Sequence, residues 1–347
     1  MKIVADENIP LLDYYFSPLG QLILKPGREI VRNDLLDADI LLVRSVTSVN
    51  QALLEDTSVK FVGSTTTGSD HIDTVWLNQA GISWSIAEGC NSVAVVEYVL
   101  SVIALLQKIG ILPDRALRAG IIGVGRIGNA VAVKLKELGF SVVLCDPFRM
   151  TKEKDFSGVL LEDFAELDFI TLHTPLTYEG TYPTYHLIEK NFLQRQKKSC
   201  VLLNTSRGSV IDFSALKQYG KDLIWCLDVW ENEPYIDMDV LQQAVIATPH
   251  IAGYSVQSKY RGIEMIYDAA IQQGVIPDRN IPRAQYPFTN LSCSAVALSD
   301  WRDVMLAVFN PLVTTVEMKK TLTENSNQFD KLRKELPLRH ELEFVKK

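Results

Sequence analysis

Gly120-Ile-Ile-Gly123-Val-Gly125-Arg126-Ile127-Gly128 is the stretch on which the reading of this chain turns. It sets G-x-G-x-x-G directly after an apolar run, and a helical pattern opens within it, with Val131, Leu135 and Leu138 on one face. Each glycine has a physical task in a strand-to-helix turn. Gly123 permits the tight turn, Gly125 lets the backbone approach a pyrophosphate, and Gly128 allows the helix to lie close on the strand. Unpaired N–H groups at the helix start then face the phosphates. The next apolar run, Val142-Val-Leu-Cys145, ends in Asp146, 18 residues after Gly128. A carboxylate there accepts the ribose hydroxyls and repels a 2′-phosphate, so the pattern points to NAD.

On either side of this turn, short β-branched runs alternate with helical patterns. Strands are expected at Ile3–Ala5, Ile40–Arg44, Phe61–Ser64, Ile82–Ser85, Ile121–Gly123, Val142–Cys145, Phe169–Leu172, Val201–Asn204 and Trp225–Asp228. Such alternation is the pattern of doubly wound parallel sheets, and runs apolar throughout fit strands covered by helices on both faces. The strands fall into two groups, before and after the apolar helix near Ser92–Lys108. The reading therefore divides the chain into residues 1–92 with 254–278, residues 93–253 carrying the glycine turn, and residues 279–347. After about residue 280 the alternation is lost, with Pro282, Pro287 and Pro311 interrupting, which predicts a small α+β unit ending in a charged tail.

Composition narrows the function. At 347 residues, 47% hydrophobic and 22% charged, the chain is globular and long enough for more than one domain. A net charge of −7 argues against nucleic acid as a partner, although local arginines can still hold an anion. The five cysteines, at 90, 145, 200, 226 and 293, lack metal-type spacing and read as free thiols in a reducing compartment. No histidine pairs with cysteine or carboxylate at metal-ligand spacing, so no metal is expected. The start carries no signal-peptide pattern, and the apolar stretch Ser92–Leu106, broken by Glu97, is short of a membrane span. A cytoplasmic protein with no membrane partner is the expectation.

Three polar residues stand in loops just beyond expected strands. Arg207 sits in Asn204-Thr205-Ser206-Arg207-Gly-Ser, Glu233 in Asp228-Val-Trp-Glu-Asn-Glu-Pro234, and His250 in Thr248-Pro-His-Ile-Ala-Gly253. Hydride transfer from a secondary alcohol needs a base for the hydroxyl proton and a cation for a neighbouring carboxylate. A histidine paired with a carboxylate suits the first role, and the planar fork of arginine suits the second. Spacing alone leaves open three ordinary polar loop residues.

The glycine motif, His173-Thr174-Pro175, Asn204-Thr-Ser-Arg-Gly208, Asp228-Val-Trp-Glu-Asn-Glu-Pro234 and Pro249-His-Ile-Ala-Gly253 resemble, in order, the D-isomer-specific 2-hydroxyacid dehydrogenases. The resemblance implies catalytic roles for Arg207, Glu233 and His250, with Glu231 the neighbour that could be confused with Glu233. Glu233 is preferred because it directly precedes the proline, as the family's glutamate does. It also implies cofactor contacts from Thr174, Thr205, Ser206, Arg207, Asp228 and Gly253, beside Gly123, Gly125, Arg126, Ile127, Gly128 and Asp146. The implied architecture is α/β. It has two doubly wound parallel-sheet domains, a flavodoxin-like substrate domain and a Rossmann NAD domain, plus a small α+β C-terminal domain that serves a homodimer.

Further stretches narrow the resemblance to members acting on a small phosphorylated hydroxy acid. They include Ala5-Asp-Glu-Asn-Ile-Pro10, Val43-Arg-Ser-Val-Thr47, Thr67-Gly-Ser-Asp-His-Ile-Asp73 and Ala252-Gly-Tyr-Ser255. On this reading Ser45, Thr66 and Tyr254 contact substrate, and Arg44 is the candidate for a charge-assisted phosphate contact. The alternatives are another family member, such as a phosphoglycerate dehydrogenase, or a non-catalytic NAD-sensing scaffold. Thr205-Ser206 before the arginine and Ser64-Thr-Thr-Thr67 depart from the family's pattern and leave room for a different substrate.

Overall fold

Apolar runs of four and five residues become parallel strands because both of their faces have something to bury. The computed structural model describes residues 1–286 and 300–342, and the chain divides into two units, Met1–Asn91 with Ser255–Phe288 and Ser92–Tyr254 with Thr289–Lys347. The first holds strands β1 (Lys2–Asp6), β2 (Gln21–Lys25), β3 (Ile40–Val43), β4 (Phe61–Ser64) and β5 (Ser83–Ile86). Their order is β2-β1-β3-β4-β5, all parallel, which is the flavodoxin-like order. Alternate residues go to opposite faces. Ile3, Ala5, Ile40, Leu42 and Phe61 pack with Ile263, Ile266 and Tyr267. Val4, Leu41, Val43 and Val62 pack with Leu35, Leu54 and Leu77.

The second unit holds β6 (Arg118–Ile122), β7 (Ser141–Cys145), β8 (Phe169–Leu172), β9 (Val201–Asn204), β10 (Ile224–Leu227) and β11 (Ile246–Ala247). Their order is β11-β10-β9-β8-β6-β7. The chain leaves β6 for β7 on one side and returns to β8 on the other. The loops after β6 and β8 therefore part, and such a reversal point is where open α/β sheets bind ligands.

The helices that bear on the site are α1 (Ser92–Lys108), α2 (Arg126–Glu137), α3 (Val256–Gln272), α4 (Trp301–Val308), α5 (Pro311–Glu324) and α6 (Phe329–Glu335). Every residue of α1 from Ala94 to Leu106 is buried, so this helix is core rather than surface. It covers the sheet face formed by Ala119, Ile121, Phe169, Val201, Leu203 and Cys226. Helix α3 packs on the sheet of the first unit, with Glu264 accepting from the Tyr15 hydroxyl at 2.8 Å. Among the described residues no helix is long and apolar enough to cross a membrane.

Where composition predicts an α+β C-terminal unit, the described residues beyond 299 carry helices. Asp300 and Asn310 cap α4 and α5 by accepting from the N–H groups of Arg302 and Leu312, and Pro311 opens α5 without an amide to leave unpaired. Their apolar sides join the core of the second unit, with Met305 beside α1 and Met318, Leu322, Phe329 and Leu332 on the opposite face of the sheet. Thr315 takes the N–H of Ala247 at 3.0 Å, so α5 covers the edge strand β11. Cys90, Cys145, Cys200 and Cys226 are buried and form no disulfide, while Cys293, like Pro287, lies outside the described residues.

Candidate active site

The glycine turn is built as tightly as its residues allow. Gly123 has φ +84°, and a Cβ there would lie 2.7 Å from the His173 carbonyl group, so only glycine fits between the loops after β6 and β8. A Cβ on Gly128 would lie 2.0 Å from the Gly123 oxygen, which fixes how closely α2 starts under the turn. Gly125 differs: a Cβ there would meet nothing within 4 Å, so the backbone before Arg126 and Ile127 faces open space. Against Gly123, the buried Thr174 hydroxyl has no hydrogen-bond partner. An open glycine at a helix N-terminus together with an unsatisfied hydroxyl is what a pyrophosphate would complete, and the residues fit NAD.

Asp146 directly follows β7 and accepts from the Val124 N–H at 2.9 Å and the Arg149 N–H at 3.1 Å, so it stabilises the turn. The Arg149 guanidinium, a possible ligand for a 2′-phosphate, donates to Glu153 at 2.6 Å and to the Val124 carbonyl at 2.9 Å. His173 donates to or accepts from Thr171 at 3.0 Å and Thr205 at 3.4 Å. Burial lowers its pKa to about 3, which keeps it neutral and makes it a packing group.

Arg207 is placed by its own loop. The Asn204 side chain accepts from the Ser206 N–H at 3.0 Å and donates to the Arg207 carbonyl at 2.9 Å, closing a turn directly off β9. Ser206 donates its hydroxyl to the same Asn204 oxygen at 2.8 Å. Gly208 follows because a Cβ there would sit 1.9 Å from the Trp230 carbonyl carbon. The arginine loop thus touches the loop that carries Glu233.

Glu233 accepts from the Trp230 N–H at 2.8 Å with one oxygen and meets His250 Nδ1 at 2.8 Å with the other. Burial acting alone would raise its pKa. His250, Arg333 and the Trp230 N–H together outweigh that and hold the carboxyl below its ordinary range. An ionised carboxylate can only accept, so Nδ1 carries a proton, and in the neutral ring the lone pair lies on Nε2. Glu231 instead meets His186 Nε2 at 2.7 Å.

His250 adopts φ +56°, a left-handed conformation that costs a non-glycine residue roughly 1–2 kcal/mol. Its surroundings enforce it. The His250 N–H donates to the Asp228 carbonyl at 2.7 Å, and the Asp228 carboxylate accepts from Ile251 N–H at 2.8 Å, Ala252 N–H at 2.9 Å and the Thr248 hydroxyl at 2.6 Å. Tyr98 in α1 donates in turn to Thr248 at 2.7 Å. Burial pushes the Asp228 carboxyl up against the opposing pull of His250 and these donors. The carboxylate that the family resemblance gives to the nicotinamide is thus 1% exposed and engaged within its own loop, which ends at Gly253.

In the first unit, Arg44 directly follows β3 and grips the fully buried Asp6 with Nε at 2.8 Å and Nη2 at 3.2 Å. That fork uses one edge of the guanidinium and leaves the Nη1 donors on the other edge for an anion. Ser45 is the next residue. The Thr66 hydroxyl meets Ser64 at 2.8 Å, and Ser64 meets His71 Nε2 at 2.9 Å. Tyr254, in the second unit, lies under the Arg333 guanidinium at 4.7 Å. Asp6, Asn204, Trp230 and Thr248, quoted above only as parts of motifs, and Arg333 were given no role by the sequence reading.

Residues 111–252 match the D-isomer specific 2-hydroxyacid dehydrogenase, NAD binding domain. The chain is 46% identical over 346 residues to erythronate-4-phosphate dehydrogenase of Coxiella burnetii strain RSA 331, covering 99% of this chain and 94% of that one. The chain belongs to the erythronate-4-phosphate dehydrogenase family. It is 42% identical over 364 residues to the enzyme of the same name from Pseudomonas fluorescens strain Pf0-1, covering 100% of this chain and 94% of that one. The D-lactate dehydrogenase of Aquifex aeolicus, solved with NAD and lactic acid, superposes with a TM-score of 0.61 at 25% identity, covering 79% of this chain and 96% of that one. This narrowing within the 2-hydroxyacid dehydrogenases is the one the sequence pointed to. As a member of the family the chain is an NAD-dependent dehydrogenase.

Proposed function

We propose that this protein oxidises 4-phospho-D-erythronate to (R)-3-hydroxy-2-oxo-4-phosphooxybutanoate, as a cytoplasmic homodimer in pyridoxal 5′-phosphate biosynthesis. The observation that carries the reading is the His250–Glu233 pair at 2.8 Å, on a chain 46% identical to an enzyme of that name. NAD, when bound, supplies the hydride acceptor. Gly123, Gly125, Arg126, Ile127, Gly128, Asp146 and Thr174 hold it, with Thr205, Ser206, Asp228 and Gly253 as neighbours.

His250 Nε2 takes the proton of the C2 hydroxyl. Glu233 holds the ring in the tautomer that places the lone pair on that nitrogen, and stabilises the imidazolium that forms. Arg207 binds the C1 carboxylate through its planar fork and polarises the oxygen that becomes a carbonyl. Arg44, Ser45, Thr66 and Tyr254 take the rest of the substrate. Arg44 makes the contact suited to a phosphate, because its fork to Asp6 fixes the guanidinium while leaving donors unused.

The test is NADH absorbance on mixing the protein with NAD and 4-phospho-D-erythronate, with 3-phosphoglycerate and D-lactate as controls. A burst is sought as well as steady turnover, because product can be slow to leave. Turnover of the four-carbon phosphate alone is expected. Turnover of a control alone would keep the mechanism and reject the substrate. Silence on all three, with NADH still binding, would favour an NAD-sensing scaffold. Elution from a sizing column at the mass of one chain would reject the homodimer.

A further inference from the structure

We propose that Arg333 and Arg339 of the C-terminal segment are positioning residues for His250, holding the backbone from which its ring is presented. The inference rests on His250 being the base. The loop 250–252 is fixed on its N–H side by Asp228, through its carbonyl and its carboxylate, from within the nucleotide-binding fold. Its carbonyl side is held from elsewhere. Arg333 Nε, on α6, donates to the His250 carbonyl at 3.2 Å. Arg339 Nη1 donates to the Ile251 carbonyl at 3.2 Å, and its Nη2 donates to the carbonyls of Ala252 and Ala94. Three consecutive carbonyls are thus taken by two arginines that lie past the end of the matched domain at residue 252.

Several details show that this is a built arrangement. Arg339 is 8% exposed, and a guanidinium is costly to bury unless its donors are used; Nη1 and Nη2 are used on these carbonyls, while Nε has no hydrogen-bond partner. It lies over the Phe309 ring at 5.1 Å, with Phe309 following α4. The Leu342 N–H, three residues on, donates to the buried Glu97 of α1 at 2.7 Å. Arg333 lies over Tyr254 at 4.7 Å and also helps hold Glu233 ionised, so one side chain touches the ends of the histidine loop and acts on its carboxylate partner. His250 has φ +56°, so its conformation persists only where the surroundings define it. Without the arginines, the loop keeps its amide contacts but can turn its carbonyls outward, and the ring direction follows.

The test uses the full-length protein with R333M, R333K and R339K. R333M should lower kcat roughly 10- to 100-fold while KM for substrate and for NAD stays within about twofold, as expected of a displaced base rather than lost binding. R333K should recover most of kcat. By hydrogen exchange with mass spectrometry on the ligand-free protein, the peptide spanning 248–254 should exchange faster in R333M, with other peptides and the melting temperature unchanged. R339K keeps the buried charge and should show the same exchange signature if R333M fails to fold. Unchanged exchange in that peptide, or unchanged kcat despite faster exchange, would overturn the proposal. If the wild-type protein turns over no hydroxy acid, the functional reading fails separately, and the exchange arm still decides whether the arginines hold the loop.

Discussion

Two histidine–glutamate pairs lie on neighbouring loops of the second unit, and by most local measures they are twins. His250 meets Glu233 at 2.8 Å and His186 meets Glu231 at 2.7 Å. Side-chain exposures are 25% and 20% in the first pair and 30% and 19% in the second. Both histidines have left-handed backbones, at φ +56° and +51°. Distance, exposure and backbone conformation therefore do not separate the proposed base from its neighbour. The ring nitrogen does. His250 gives Nδ1 to its carboxylate and keeps Nε2, the nitrogen at the tip of the side chain, as an acceptor. His186 gives up Nε2, and its ring is stacked on Tyr185 at 3.9 Å between centroids. A base that acts from the tip of its side chain needs the lone pair on Nε2, and of these two pairs it is the first that leaves Nε2 to offer it.

The supports differ as well. His250 is tied through Asp228, Thr248, Tyr98 and Arg333, a network running from α1 to α6. The second pair is anchored by its backbone contact from the His186 N–H to the Ser209 carbonyl at 2.8 Å. That contact lies two residues from Arg207, so the pair steadies the arginine loop.

H250N should break the comparison most visibly, with turnover falling roughly 100- to 10,000-fold, as for a lost general base. Near-normal steady-state turnover in this variant would remove His250 from the mechanism. E233Q comes next. Losing a charged partner of His250 should cost about 1.5–3 kcal/mol in the barrier, or roughly 10- to 100-fold in kcat/KM. It should also change acid stability in a predictable sense. The native Glu233 carboxyl lies below its ordinary value, so its contribution is complete above the unfolded pKa and is lost as pH falls through the native one. Melting temperature against pH should therefore fall less steeply on the acid side in E233Q than in the wild type. The smallest effect belongs to H186N, at about 0.5 kcal/mol of stability and less than a twofold change in kcat. A loss in H186N comparable to that in H250N would refute the distinction by ring nitrogen.

The strands legible in the sequence were those whose side chains are apolar on both faces, such as Ile40–Val43 and Val201–Asn204. The two that escaped are both edge strands. Gln21–Lys25 is half-exposed at one sheet edge, although Gly20 and Pro26-Gly27 bracket it, and Ile246–Ala247 is two residues long. In the C-terminal segment the prolines read as interruptions of the βα alternation. Pro311 opens a helix instead, where its lack of an N–H costs nothing.

Local chemistry wrote the glycine turn, the acid after β7 and the residue types at 207, 233 and 250 into the chain, because each answers a constraint within a few residues of itself. Gly123 and Gly128 are required by a turn that their own neighbours create. The pairing of His250 with Glu233 rather than Glu231, the engagement of Arg44 with Asp6, and the two arginines on the 250–252 carbonyls left no such trace. Those contacts join residues 17, 38, 83 and 88 positions apart. A hydrogen bond over that separation depends on where packed sheets and helices deliver each backbone, and no spacing in the sequence records it.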